Sequence, residues 1–531
     1  MLSLMPVALL ILAALVILVI GRVTTRAGST WFLASIIGFI TWLSMILIGI
    51  LLPPVVEIKN WLPQPYLFAS LSFQFTRETW IFGFLLVSLL QAVIFFNSRY
   101  LETPNYLNKI TGAMILTAFG LLAVLSRSPL AFVLTWSLMD LAEFGVLTAT
   151  QGNVRQNRSN MTAVLFRELG LILLVLLISI STEQTLQSNS LELLSGWLLF
   201  LVILLRMGIL PIIQDQTDDS HIRRGFLTLL RTLPLITVFS FITILPGSVL
   251  PERLMHLLLI TSVISALYGS ILWFASKDEL TARPYWFFTF GSLAMTAFLT
   301  AGVEGLTGLA VAAVSTGTGL FLYSPRFQSK YVYVPILLIG MLAFPFTPTA
   351  TLTNLINSGS FSLHQVLIVL IYVLMLTGVV KHGFRKDDTQ DLAEPWTRVF
   401  HNVSLYFIGL SPWIIPVTMF QMFNLKFNLW LSTSIILLTV IFSGLFFILN
   451  KRQFTWKNPF SRIWTGVVKG FNIIDQIFRL NWLAKVFSSL SFIISKTAQL
   501  LIRVQEGDGG ILWSFLFLVL LISLLITRQA P

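Results

Sequence analysis

"LLRMGILPIIQ", residues 204–214, sets an arginine inside an apolar run and a proline five residues behind it. The stretch closes a run of about 192–213, and runs of this kind recur from one end of the chain to the other. There are sixteen, at about 2–21, 31–53, 79–97, 110–126, 129–148, 161–181, 192–213, 226–248, 254–274, 284–302, 304–323, 331–347, 364–381, 401–423, 429–449 and 511–527. Each is about 17–23 residues long, enough to cross a hydrocarbon core of roughly 30 Å as a helix. Lipid offers exposed backbone no hydrogen-bond partner, so spans of this length have to be helical. The expected fold is an all-α polytopic membrane protein of about 16 transmembrane helices. Within it, Arg206 must meet partners carried by other helices.

Composition points the same way, with 56% of the 531 residues hydrophobic and 11% charged. The chain has no cysteine, which excludes protein-thiolate iron–sulfur ligation and a disulfide framework. The five histidines (His221, His256, His364, His382, His401) fall in loops or at span ends and form no ligand cluster, so no metal site is expected. No G-x-x-x-x-G-K-[ST], no G-x-G-x-x-G and no Ser/His/Asp arrangement occurs. The chain is therefore expected to hold no catalytic residue and no cofactor, and redox or nucleotide chemistry would belong to a partner.

A net charge of +12 invites a nucleic-acid reading, but its distribution argues against one. When loops are numbered by the span they follow, the odd loops hold 25 of the 34 basic residues, among them Arg22, Arg99, Arg155, Arg223, Arg224, Lys277, Arg283, Lys381 and Arg385. The even loops hold Lys59, Arg77, Arg127, Arg253 and Lys426. The positive-inside rule then puts every odd loop in the cytoplasm and both termini outside, in a multi-pass protein of the plasma membrane. The first run lacks a basic leader and a small-residue cleavage site, so it is expected as a helix rather than a signal peptide.

The chain divides into residues 1–109 (spans 1–3), 110–248 (spans 4–8), 254–381 (spans 9–13), 401–449 (spans 14 and 15), 451–510 and 511–531 (the last span). Residues 382–400, "HGFRKDDTQDLAEPWTRVF", form a hydrophilic loop. Over 451–510, apolar residues at helical spacing (Trp464, Val467, Val468, Phe471) are interrupted by Lys469, Asp475, Arg479, Lys485, Lys496 and Arg503. That pattern predicts an amphipathic segment lying along the cytoplasmic face.

Six ionisable residues fall inside spans: Asp140 and Glu143 in the fifth, Arg167 and Glu168 in the sixth, Arg206 in the seventh and Arg231 in the eighth. Each costs about 2–3 kcal/mol at a helix centre on insertion scales, so each is expected to be functional or paired. All six lie in four consecutive spans and their formal charges sum to zero. Asp140 and Glu143, three residues apart, share a helix face. A closed set of ion pairs and an ion path both satisfy these facts. The identity of the cations separates the two, because a relay needs groups that gain and lose protons near neutral pH. Arginine does not deprotonate in proteins, so Arg206 and Arg231 can orient carboxylates or hold an anion but cannot pass a proton on.

Several stretches, taken in order, resemble the antiporter-like subunits shared by respiratory complex I, membrane-bound hydrogenases and Mrp sodium/proton antiporters. "LSFQFTRETWIFGFLLVSLLQAVIFFNSRYLE" (71–102) is similar to the family's second loop and third helix. "MILTAFGLLAVLSRSPLAFVLTWSLMDLAEF" (114–144) is similar to its fourth and fifth helices. "RMGILPIIQDQTDD" (206–219), "FLTLLRTLPLITVF" (226–239) and "LAFPFTPTATLTN" (342–354) match later motifs. The amphipathic segment and "LIRVQEGDGGILWSF" (501–515) look like the lateral helix and last helix of the largest such subunits. The resemblance implies two inverted repeats, spans 4–8 and 9–13, each with a half-channel.

The departures from the family are systematic. Ser137 stands where the resemblance implies a glutamate, Arg206 where it implies a lysine, and Arg231 where it implies a histidine. Pro211 matches the proline of a broken helix. A second lysine position falls near Gly317 in "VAAVSTGTGLFLY" (311–323), and Asn354 occupies a third. The leading expectation is a diverged subunit of a complex I-related membrane assembly. Its partners would be other membrane subunits and lipid, with protons or Na+ as the ions moved. Asp140 or Glu143 would pair with Arg206 and lock the first half-channel. The rival is a water-linked Asp140/Glu143/Glu168 set that still passes protons beside a fixed Arg206. A stand-alone transporter, with Arg206 and Arg231 holding an anion, and a non-conducting assembly factor are the readings from other classes.

Overall fold

In a computed structural model of the chain, the described residues are 2–23, 27–59, 70–101, 103, 105–150, 154–182, 189–208, 224–245, 252–323, 330–342, 347–351, 363–385, 395–418, 429–451 and single positions beyond 465. They hold α1 (Met5–Val23), α2 (Ala27–Leu51), α3 (Arg77–Phe96), α4 (Tyr106–Leu125), α5 (Pro129–Thr150), α6 (Val154–Thr182) and α7 (Asn189–Arg206). There follow α8 (Phe226–Ile242), α9 (Glu252–Ala275), α10 (Glu279–Leu322), α11 (Lys330–Ile339), α12 (Leu363–Gly383), α13 (Pro395–Thr418) and α14 (Leu429–Lys451). Among the described residues, nine helices are long and apolar enough to cross a membrane. Met1–Ile473 forms one compact unit and Ile474–Pro531 another. The amphipathic segment expected over 451–510 and the span expected at 511–527 lie outside the described residues, apart from isolated positions.

The expected spans differ from these helices in four places, each for a local reason. Runs ten and eleven lie on α10, whose 44 residues are interrupted at Gly302 (φ 68°, ψ −154°), a conformation that glycine adopts without steric penalty. The halves fold back on each other, since Trp286 meets Ala313 and Gly317 at nearly equal distances along the chain from Gly302. Run twelve shortens to α11, which ends in a turn at Gly340. α13 begins at Pro395, so His401 lies inside a helix and is buried, not at its end. The all-α expectation also omits a hairpin: Val56–Lys59 pairs antiparallel with Ser70–Phe73, Val56 opposite Phe73. Its alternation of polar and apolar residues is only four residues long, and Leu71 and Phe73 are its buried side.

α3 is the axis of the bundle. Every residue of its apolar window is buried, and α2, α4, α8, α10 and α13 pack around it. Its start is fixed by Thr76, whose hydroxyl accepts from the Thr79 amide while the Thr79 hydroxyl accepts from the Thr76 amide. Helices come this close because of a device used three times. An indole lies on a glycine of the neighbouring helix and donates its N–H to a carbonyl one turn earlier. Trp80 sits on Gly49 and donates to the Met45 carbonyl at 2.6 Å. Trp286 sits on Gly317 and donates to Ala313 at 3.0 Å. Trp273 sits on Gly378 and donates to Met375 at 3.2 Å. The glycine admits the ring, and the carbonyl satisfies an N–H that hydrocarbon cannot.

This packing predicts the effect of a single methyl group. A Cβ at position 49 would fall inside the van der Waals envelope of the Trp80 ring. Gly49→Ala is expected to lower stability by about 1–3 kcal/mol, read as a lower unfolding midpoint in detergent. Gly145→Ala, where a Cβ meets nothing within 4 Å, should leave the midpoint unchanged or slightly raised.

Candidate functional site

The intramembrane charges converge where α5, α6 and α7 pack in succession. α5 presents Trp136, Asp140 and Glu143 on one side, at the i, i+4 and i+7 positions of a helical face, and all three are buried. α6 faces them with Arg167, also buried. Its Nη2 lies 2.5 Å from Glu143 Oε2 and its Nε 3.4 Å from Asp140 Oδ1. From α7, Arg206 Nη1 donates to Asp140 Oδ2 and, at 3.3 Å, to the carbonyl of Arg167. The result is an alternating chain, Glu143–Arg167–Asp140–Arg206, in which Asp140 is gripped by one guanidinium on each oxygen. Of the two partners expected for Arg206, the pairing falls to Asp140.

Arg206 is the last residue of α7, where unpaired carbonyls favour a cation. Met207 and Gly208 turn the chain away immediately, Gly208 with φ 66°. The guanidinium carbon lies 4.6 Å from the Trp136 ring centroid, so an aromatic face covers the side of the cation not used by Asp140. The stem of Arg206 crosses α6 at Gly170, where a Cβ would come within 3.2 Å of Arg206 Cγ. Neither Trp136 nor Gly170 was picked out from the sequence. Trp136 was legible there as the residue one turn before Asp140, whereas Gly170 reveals itself only once α7 is laid against α6.

The remaining expected residues divide clearly. Glu168, half-buried, lies within electrostatic range of Asp140, Arg206 and Arg167. Arg231, on α8, lies within range of Glu143. Asp140, Glu143, Arg167 and Arg206 are thus joined by direct ion pairs, with Glu168 and Arg231 at longer range. Ser137 is not a member, because its hydroxyl donates at 2.8 Å to the Val133 carbonyl of its own helix. Gly317 lies in α10, under the Trp286 ring. Pro211 and Asn354 lie outside the described residues.

A second charged cluster escaped the sequence reading, which took its arginines for loop cations and did not single out Glu279. Glu279, at the start of α10, is buried between Arg224 and Arg385. Arg224 Nη1 donates at 2.7 Å to Glu279 Oε1 and at 2.7 Å to the Tyr323 carbonyl. Arg283 Nη1 donates at 2.9 Å to the Thr228 hydroxyl, which in turn donates to the Arg224 carbonyl. Arg224 and Glu279 are 55 residues apart in the chain, so no local pattern signals their meeting. The cluster ties together the ends of α8, α10 and α12.

No protein-family model matches the chain, and no curated protein matches it by sequence. Among solved structures, a chain of the Mrp complex from Dietzia sp. DQ12-45-1b is similar over all of this chain, with a TM-score of 0.67 and 11% identity. This chain spans 63% of that one's length. A chain of respiratory complex I from Thermus thermophilus, solved with bound Aureothin, is similar over 78% of this chain and 98% of its own, with a TM-score of 0.57 and 11% identity. The bundle around α3, with its buried ion pairs, therefore has the fold of membrane subunits found in the Mrp and complex I assemblies.

Proposed function

We propose that this chain is an antiporter-like membrane subunit of a multisubunit, ion-translocating complex, and that its first repeat, residues 110–248, is held shut by its own ion pairs. The pairing of Arg206 with Asp140 carries this reading. A relay station must release its proton, and a guanidinium does not. Asp140 has an arginine on each oxygen, so taking up a proton there means breaking buried ion pairs. Arg206 is occupied by Asp140, the Arg167 carbonyl and the Trp136 ring, which argues against its serving as an anion site. The reading includes sixteen spans with both termini outside, two inverted repeats and a lateral segment over 451–510 that straps the chain to neighbouring subunits in the plasma membrane. Protons or Na+ would be moved by the assembly. The chain's part is to scaffold it, with no catalytic residue or cofactor of its own.

One observation supports a second reading, in which a water-linked set passes protons beside a fixed Arg206. Glu143 Oε1, Arg206 Nε and Nη2 and Trp136 Nε1 are buried without a hydrogen-bond partner among the described residues. Asp140→Asn separates the two. Removing one partner of a buried pair costs about 3–5 kcal/mol, so the unfolding midpoint of the variant is expected to fall. Under the first reading, ion flux per assembled complex in vesicles stays unchanged. Loss of coupling in a correctly assembled complex selects the second.

The subunit reading also makes a statement about purification. Mild detergent extraction is expected to bring several other membrane proteins with this chain in fixed ratio. Recovery as a lone monodisperse species stabilised by a small anion would favour a stand-alone transporter.

A further inference from the structure

The other half of the chain, residues 254–381, closes itself by different means. No ionisable residue occurs between Trp286 and Leu322 except Glu304, which is exposed near the Gly302 turn. What occupies the interior is aromatic. Trp273 and Trp286 have ring centroids 4.9 Å apart, Phe290 lies 4.6 Å from Trp286, and Phe321 lies 6.3 Å from each indole. All four rings are buried. Two of them rest on glycines: a side chain at Gly317 or Gly378 would have to occupy the volume of an indole.

The polar groups of this region are turned inward in the same manner. Thr289, Thr296, Ser315, Thr318 and Thr377 each donate to a carbonyl one turn back on their own helix, at 2.5–3.0 Å. The two indole N–H groups donate to carbonyls of neighbouring helical segments. A file of water needs donors and acceptors aimed at it, each molecule taking two to four partners. These five hydroxyls serve the helices that carry them, and those of Thr316 and Tyr372 donate to the carbonyls of Leu337 and Met341. The Tyr333 hydroxyl, buried beside Gly319, has no hydrogen-bond partner among the described residues.

We propose that the described helices of residues 254–381 hold an insulating barrier, in which Trp273, Trp286, Phe290 and Phe321, with the indoles seated on Gly317 and Gly378, make an aromatic wall that admits neither water nor ions. Trp286 is its keystone, because it packs on Trp273 and Phe290, covers Gly317 and donates its N–H to the Ala313 carbonyl. The inference concerns the aromatic part of this half, separate from the ion row of α5–α7, and it stands or falls apart from the lock at Asp140.

The natural absence of cysteine makes the test direct. Ala313 is buried one turn before Gly317, and its carbonyl receives the Trp286 N–H. Ala313→Cys, in the full chain within membrane vesicles, is treated with a membrane-impermeant thiosulfonate from each side. Glu304→Cys serves as the accessible control. The expected result is modification of the control and none at 313. Adding Trp286→Ala should make the cysteine at 313 reactive from at least one side, whereas Trp286→Phe, which keeps a ring in place, should leave it protected. Modification of Ala313→Cys with Trp286 intact overturns the barrier. Continued protection after Trp286→Ala, in protein that still elutes as folded, removes Trp286 from the keystone role and overturns the proposal as stated. If Trp286→Ala does not fold, the comparison of Ala313→Cys with Glu304→Cys in the parent still decides whether the wall is closed.

Discussion

A charge in hydrocarbon has to be neutralised within a few ångströms, because no solvent is there to do it. That constraint organises the first half of this molecule. Asp140 and Glu143 on α5 require cations, Arg167 on α6 meets both, and Arg206 at the end of α7 takes the remaining oxygen of Asp140. The positions of α5, α6 and α7 relative to one another are therefore set by an alternating row of charges as well as by packing. Gly170 is small so that the Arg206 stem can pass, and Trp136 covers the far side of the guanidinium. Neither detail has a reason until the ion row is in place.

The two halves of the chain meet the same problem, an unsolvated interior, in opposite ways. Residues 110–248 bury polar groups and satisfy them in pairs. Between Trp286 and Leu322 the second half buries rings and no charged side chain. Both arrangements are dense, and both depend on glycine where one helix must approach another. At one end of the bundle, Arg224 from the first half and Arg385, just beyond α12, share the carboxylate of Glu279 on α10. This joint ties the start of α8 to the ends of α10 and α12.

How much was legible in the sequence follows from the range of each interaction. The helices could be read because an apolar run is a local signal, and fifteen of the sixteen runs fall on described helices. The six intramembrane charges could be grouped because each is conspicuous in its own span and their sum is zero. Which carboxylate Arg206 would take could not be read, since Asp140 and Glu143 share a face and differ only in height. Glu279 was invisible for the opposite reason: it sits beside Asp278 and Lys277 at a helix start, where an acidic residue is ordinary. The hairpin at 56–73 was missed because two four-residue strands carry too little alternation to stand out. Gly302 shows the limit most plainly. The sequence marks two runs with a short gap, but only the backbone at one glycine turns them into neighbours.

The order of charges along the chain also bears on biogenesis. α5 leaves the ribosome first, carrying Asp140 and Glu143 and no basic residue. Alone in a bilayer it would face an insertion penalty of several kcal/mol. Its first counter-charge arrives with α6 and its second only with α7, 66 residues after Asp140. A translocation machinery handling this chain must retain α5 until its successors are made and release them together, so the helices that form the ion row enter lipid as a set.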